Sequence, residues 1–156
     1  MNKIHDYMAN IIWTGNLGTG TSGYKDYARS YDISATGKPI ILGSADPAFR
    51  GEALKWNPED LLLSTIASCH MLWYLHFCAD NHIIVEDYRD AITGKLEVDE
   101  KGLGKFIEAT LNPVVRIKNS EQIDLAMSLH QEAHKFCFIA NSLNFNVSIN
   151  PSISAM

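Results

Sequence analysis

From Leu61 to Ala79 the chain carries no aspartate, glutamate, lysine or arginine. Asn57, Pro58, Glu59 and Asp60 stand just before this run. Asparagine is a strong helix N-cap, proline suits the first helical position, and acidic residues favour the positive end of the helix dipole. The spacing predicts one long helix from Asn57 to about Asn81. The run is long enough to span a bilayer. Ser64, Thr65, Ser68, His70 and His76 interrupt it, however, and no basic flank anchors it. It reads instead as a central buried helix, apolar nearly all round. A chain of 156 residues has little else with which to cover every face, so the helix also predicts a partner subunit.

The rest of the sequence predicts an α+β chain organised as a single domain, 1–156. Strands are expected at His5–Trp13, Tyr24–Ser34, Ala91–Val98, Lys105–Ile117 and Asn144–Asn150, from alternating or β-rich patterns. Asp99–Gly104 reads as a hairpin turn, and Thr36–Trp56 as a long loop. The short apolar run Ile83-Ile84-Val85 opens a further element. A second helix is expected from Asn119 or Ser120 to about Ile139, with Gln122 in capping-box position relative to Asn119. Short hairpins imply antiparallel sheet.

A net charge of −5 and no lysine–arginine cluster argue against nucleic acid as a partner. The sequence from Met1 to Asp6 has no signal-peptide pattern. Three cysteines fit a reducing, cytoplasmic setting better than a disulfide framework. No membrane association is expected.

Cys69 lies in the middle of the first helix and Cys137 near the end of the second. A thiol attacks electrophiles as thiolate, and an apolar helix disfavours that form. A reactive Cys69 therefore requires a cation. Arg29 and Arg50 are the candidates. Alternation places Arg29 on the inward face with Tyr27, Tyr31 and Ile33, where a buried guanidinium needs an anionic partner. Arg50 stands in the loop before the first helix. Glu59 could hold either guanidinium through a bidentate pair. Over ten residues of straight helix the rise is about 15 Å and the turn roughly 80°. Glu59 thus does not reach Cys69 of the same helix. A shared site needs a long arginine or a second chain. Packing remains the commoner use of a buried cysteine, and Cys78 is assigned to the core. His130, His134 and Cys137 share a helix face and, with His70, leave a zinc site open as an alternative.

The segment Asn57-Pro58-Glu59-Asp60-Leu61-Leu62-Leu63-Ser64-Thr65-Ile66-Ala67-Ser68-Cys69-His70 resembles the signature of the OsmC/Ohr family of organic hydroperoxide reductases. In that family an Asn-Pro-Glu start precedes an Ala/Ser-rich helix with its peroxidatic cysteine ten residues after the glutamate, the spacing from Glu59 to Cys69. Cys69-His70-Met71-Leu72-Trp73-Tyr74-Leu75-His76 is most similar to an OsmC-like subgroup. The resemblance implies the OsmC-like fold, antiparallel sheets packed around two long helices in an intertwined homodimer. It implies a thiol peroxidase in which Cys69 attacks an organic hydroperoxide and becomes a sulfenic acid. Cys137 then forms a disulfide with Cys69, and a dithiol reductant such as a lipoyl group reopens it. No cofactor is implied. The activating arginine corresponds to Arg50 or Arg29, with Arg50 slightly favoured, and Glu59 supports it. The alternative is a stress-related or ligand-binding protein of the same fold with little peroxidase activity. Phe49, Trp56, Trp73 and Tyr74 suit an apolar ligand pocket and suit a core equally.

Overall fold

The computed structural model describes residues 3–155. The chain divides into two compact units, Met1–Leu61 and Leu62–Met156.

In the first unit, β1 (Asn10–Trp13), β2 (Tyr31–Ser34) and β3 (Ile41–Gly43) form an antiparallel meander. Gly43 is required where it stands, because a Cβ there would meet the Tyr31 ring at 2.2 Å. Two expectations change in this unit. The long loop contains β3 and a single 3-10 turn, Pro47–Phe49. The strand read over Tyr24–Ser34 begins only at Tyr31. Before it the backbone is pinned as a loop, with Ala28 N–H donating to Gly15 O at 2.9 Å and the Trp13 indole donating to Ala28 O at 2.9 Å. Arg29 therefore lies off the strand, and the period-2 argument for its orientation lapses.

Helix α1 (Pro58–Asp80) has the boundaries its sequence predicts to within a residue. Asn57 accepts from Asp60 N–H at 2.7 Å, the expected cap. At the far end His82 turns left-handed (φ 58) and Ile83 N–H returns to Cys78 O at 2.8 Å, closing the helix.

The second unit carries six strands: β4 (Val85–Asp90), β5 (Thr93–Val98), β6 (Gly104–Leu111), β7 (Pro113–Ile117), β8 (Asn146–Ile149) and β9 (Ser152–Ala155). They form two three-stranded sheets, ordered β4-β7-β9 and β5-β6-β8. In sequence these are three long lines of chain, each interrupted once: at Ala91–Ile92, at Asn112 and at Asn150–Pro151. Asn112 holds the break. Its N–H donates to Asp90 Oδ1 at 2.8 Å, and its side chain donates to Ala91 O at 3.0 Å and Thr110 O at 3.2 Å. Pro113 then opens β7 at a strand's first position, where proline is tolerated. The single strand expected over Lys105–Ile117 is thus two.

The sheets are mixed, which corrects the antiparallel expectation. β8 pairs parallel to β6 and β9 parallel to β7, because the chain returns to the sheets through a helix rather than a hairpin. That returning helix is α2 (Ile123–Phe136), preceded by a 3-10 turn at Ser120–Gln122. Asn119 caps the turn through Glu121 N–H at 3.0 Å, but Gln122 reaches His82 O at 3.4 Å instead of closing a capping box. At 14 residues α2 is shorter than expected against 23 for α1, and it stops before Cys137.

One stripe of α1 is buried: Ile66, His70, Tyr74 and Cys78, four residues apart each time. Two apolar clusters cover it. Ile66 with Leu62, Leu63 and Ala67 packs against Ala109, Leu111 and Val147. Tyr74 and Cys78, with Trp73 and Phe77, pack against Val115, Ile117 and the Ala126, Leu129 and Ala133 face of α2. Cys69 and His70 fall at the seam between the clusters. Other faces of α1 are left uncovered, with Leu72 63% exposed. By length and composition this helix is also apolar enough to cross a membrane.

Replacing Asn112 with alanine removes the side-chain bridges of the break. We expect a loss of about 1–2 kcal/mol, two ordinary hydrogen bonds, measured as a lower urea midpoint with the unfolding slope unchanged.

Candidate active site

The seam brings Cys69 and Cys137 together. Cys69 is half-buried on α1, and Cys137 is 1% exposed at the residue that ends α2. There the backbone leaves the helix for an extended conformation (φ −67, ψ 103). Cys69 lies near enough to push the Cys137 thiol up, and the two are not joined as a disulfide. Cys137 Sγ also accepts from Ala140 N–H at 3.4 Å. Burial pushes the Cys137 thiol up to about 11. The Ala140 N–H works against that rise, and the nearness of Cys69 adds to it. Cys137 is therefore a thiol at neutral pH. A buried thiol against a half-exposed one is the geometry for disulfide closure once the outer sulfur is oxidised.

Next to Cys69 in the chain, His70 forms half of a polar pair in an apolar setting. His70 Nε2 and His130 Nδ1 are 3.0 Å apart and both side chains are fully buried. The Tyr74 ring stacks on His130 at 3.9 Å between centroids. Burial holds His70 down to about 4, with His134 acting in the same direction. Burial likewise holds His130 down to about 3, with His70 adding to it. Both rings are neutral at pH 7, so one ring donates its N–H and the other accepts. His70 Nδ1 and His130 Nε2 have no partner, nor does His134 Nδ1. His130 is buried despite its polarity. The signal for burial was its place on one face with Ala126 and Ala133. Among the described residues no three histidine, cysteine or acidic side chains are grouped to hold a metal ion. Cys78 is buried in the core beside Tyr74, as expected.

Aromatic side chains flank the thiols. Trp73, one turn beyond Cys69, meets Phe136 at 5.2 Å and Phe138 at 5.5 Å between centroids, the two neighbours of Cys137. An open cleft of about 250 Å³ is lined by Leu72, Trp73 and His76.

In the first unit, Arg29 is half-buried and satisfied without an anion. It donates to Tyr27 O at 2.6 Å and Tyr24 O at 2.7 Å, and its guanidinium lies 4.1 Å from the Tyr27 ring centroid and 4.5 Å from that of Tyr24. The expected anionic partner is replaced by carbonyls and ring faces. Arg50 is exposed and left-handed (φ 67) at the end of the Pro47–Phe49 turn, with its guanidinium 5.8 Å from the Tyr24 ring centroid. A left-handed arginine is uncommon and strained. Asp46 imposes it, accepting Ala48 N–H at 2.7 Å on its side chain and Gly51 N–H at 3.0 Å on its carbonyl. Glu59 has a buried oxygen, Oε2, without a partner. Among the described residues neither arginine forms an ion pair with Glu59.

Both buried histidines resist protons that the unfolded chain accepts near pH 6.5. Stability is therefore full above that pH and falls as pH drops from about 6.5 towards 4. The slope is on the order of 1 kcal/mol per pH unit for each histidine. Urea midpoints from pH 7.5 to 5 read this slope, and His130→Asn reduces it.

Comparison with other proteins places these features. An OsmC-like protein of unknown function from Vibrio cholerae shares 26% identity and superposes with a TM-score of 0.83, over 96% of this chain and 100% of that one. An organic hydroperoxide resistance protein of Legionella pneumophila is 21% identical with a TM-score of 0.65, covering 98% of this chain and 99% of its own. One from Elizabethkingia anophelis is 16% identical with a TM-score of 0.70, covering 100% of both chains. No curated protein matches the chain. The family model described as OsmC-like protein matches residues 51–152, a span that contains Glu59, Cys69 and Cys137 and stops short of Arg29 and Arg50. The chain, with its α+β fold, belongs to the OsmC-like protein family.

Proposed function

We propose that this protein is a thiol-dependent peroxidase that reduces organic hydroperoxides to alcohols. The observation that carries the reading is the closeness of a half-exposed Cys69 to a buried, protonated Cys137. The Cys69 thiolate attacks the distal oxygen of the hydroperoxide. The O–O bond breaks, the departing alkoxide takes a proton and leaves as alcohol, and Cys69 is left as sulfenic acid. Cys137 sulfur then attacks Cys69 sulfur. The hydroxyl leaves with the Cys137 proton as water, and a Cys69–Cys137 disulfide remains. A dithiol, such as a lipoyl group, returns two electrons by exchange and restores both thiols. A reducing cytoplasm suits that step. The apolar cleft at Leu72 and Trp73 favours substrates with a greasy tail.

The cation that sustains the Cys69 thiolate is Arg50 in this reading. Its guanidinium makes no hydrogen bond or ion pair among the described residues, whereas that of Arg29 is already engaged by two carbonyls. The orphan oxygen of Glu59 gives a guanidinium its anchor. The uncovered faces of α1 support an intertwined homodimer that buries them.

Cumene hydroperoxide consumption with a dithiol present tests the reaction. Cys69→Ser loses activity by roughly 100-fold or more, Arg50→Ala falls further than Arg29→Ala, and Cys137→Ser accumulates a trappable sulfenic acid. Equal rates for wild type and Cys69→Ser end the peroxidase reading. Light scattering on a size-exclusion column is expected to give twice the 17.4 kDa chain mass, and a monomer that persists on concentration would refute the dimer.

A further inference from the structure

Among the described residues, one side-chain hydrogen bond joins α1 to α2, the buried contact of His70 Nε2 with His130 Nδ1 at 3.0 Å. His70 is the immediate neighbour of Cys69. His130 stands two helical turns before Cys137, the residue that ends α2. We propose that this imidazole pair is a positioning device for disulfide closure, locking the rotation and height of α1 against α2 so that the Cys69 and Cys137 sulfurs stay close. The inference rests on the reading of these cysteines as the redox pair.

Disulfide geometry is demanding, and small shifts of either backbone prevent closure. The two apolar clusters that hold α1 are nondirectional, and neither includes Cys69 or His70. A residue of α1 turns by about 100° for each 1.5 Å of rise, so a slight slide or roll carries Cys69 away from Cys137. A directional contact at the seam adds to the packing of Trp73 against Phe136 and Phe138 in opposing such a movement. The His70–His130 bond lies there, and the Tyr74 ring stacked on His130 prevents the imidazole from turning out of line. The arrangement leaves two buried ring nitrogens without partners. Simple packing would be met better by two apolar side chains. The pair makes sense as a register pin.

Atom placement separates this role from space filling. Asparagine can put a polar atom where His130 has Nδ1, and glutamine where His70 has Nε2. Leucine fills the volume with no polar atom. The reduced protein is treated with diamide, which takes up two electrons and two protons as the disulfide forms, and closure is followed by mass spectrometry. This readout needs no peroxidase activity. His70→Leu and His130→Leu are expected to close the disulfide at least tenfold more slowly, since misplacement by about 1 Å costs orders of magnitude in rate. His70→Gln and His130→Asn are expected to restore closure to within about threefold of wild type, most of the positional effect. Sulfenic acid formation with cumene hydroperoxide, read in the Cys137→Ser background, is expected to be the same with and without the histidine changes. Leucine variants that close as fast as wild type overturn the proposal. So do glutamine and asparagine variants as slow as leucine. If His130→Leu does not fold, His130→Phe, which retains the stack on Tyr74, takes its place under the same criteria. Wild type that closes with diamide but not with hydroperoxide refutes the peroxidase reading and leaves the pin standing.

Discussion

A helix with no charge between Leu61 and Ala79 has to be covered, and the second unit is organised around covering one stripe of it. Ile66, His70, Tyr74 and Cys78 recur every four residues, so the stripe winds slowly and extends over most of the helix. The sheet that faces it is broken at Asn112 and continues as a second sheet. Each sheet contributes to one apolar cluster, and each cluster holds one half of the helix. The break in the strands and the gap between the clusters follow from the same requirement.

That gap is where chemistry is possible. In the middle of either cluster a cysteine would be sealed from substrate, and on the bare faces of α1 it would have no partner. At the seam Cys69 is half-exposed while Cys137 is buried. In the proposed reaction this asymmetry gives the two sulfurs different roles. The outer sulfur would meet the hydroperoxide. The inner one, held protonated by burial, would react only after the outer had been oxidised. The short turn after Cys137 contributes Ala140 N–H to the sulfur and keeps it in place.

The features legible in the sequence were those with local causes. Asn57 and Pro58 start α1 through contacts with the next few residues, so its boundary could be read directly. The pairing of Cys69 with Cys137 followed from the resemblance. Nonlocal causes were not legible. A run from Lys105 to Ile117 looks continuous until Asn112 is known to bind Asp90 and Ala91, about twenty residues away. The parallel pairing of β8 and β9 depends on the path through α2, which no strand pattern encodes. Arg29 fell on an inward face only while Tyr24–Ser34 counted as a strand. The burial of His130 needed helical periodicity to outweigh its polarity.

The proposed peroxide reduction needs Cys69 as thiolate. The charge-free stretch of α1 has no cation to offer Cys69. Its neighbour His70 is neutral at pH 7, since burial holds it down to about 4. On α2, Lys135 is exposed and paired with Glu132 at 2.6 Å. In the proposed reaction the cation would come from outside these two helices, and arginine, which keeps its charge on desolvation, is the suitable type. The chain offers Arg50 in a loop that forces a left-handed backbone, and a glutamate at the start of α1 with one buried oxygen unpaired. A strained arginine and an orphan carboxylate oxygen are each costly alone, and a guanidinium–carboxylate pair would relieve the second while fixing the direction of the first.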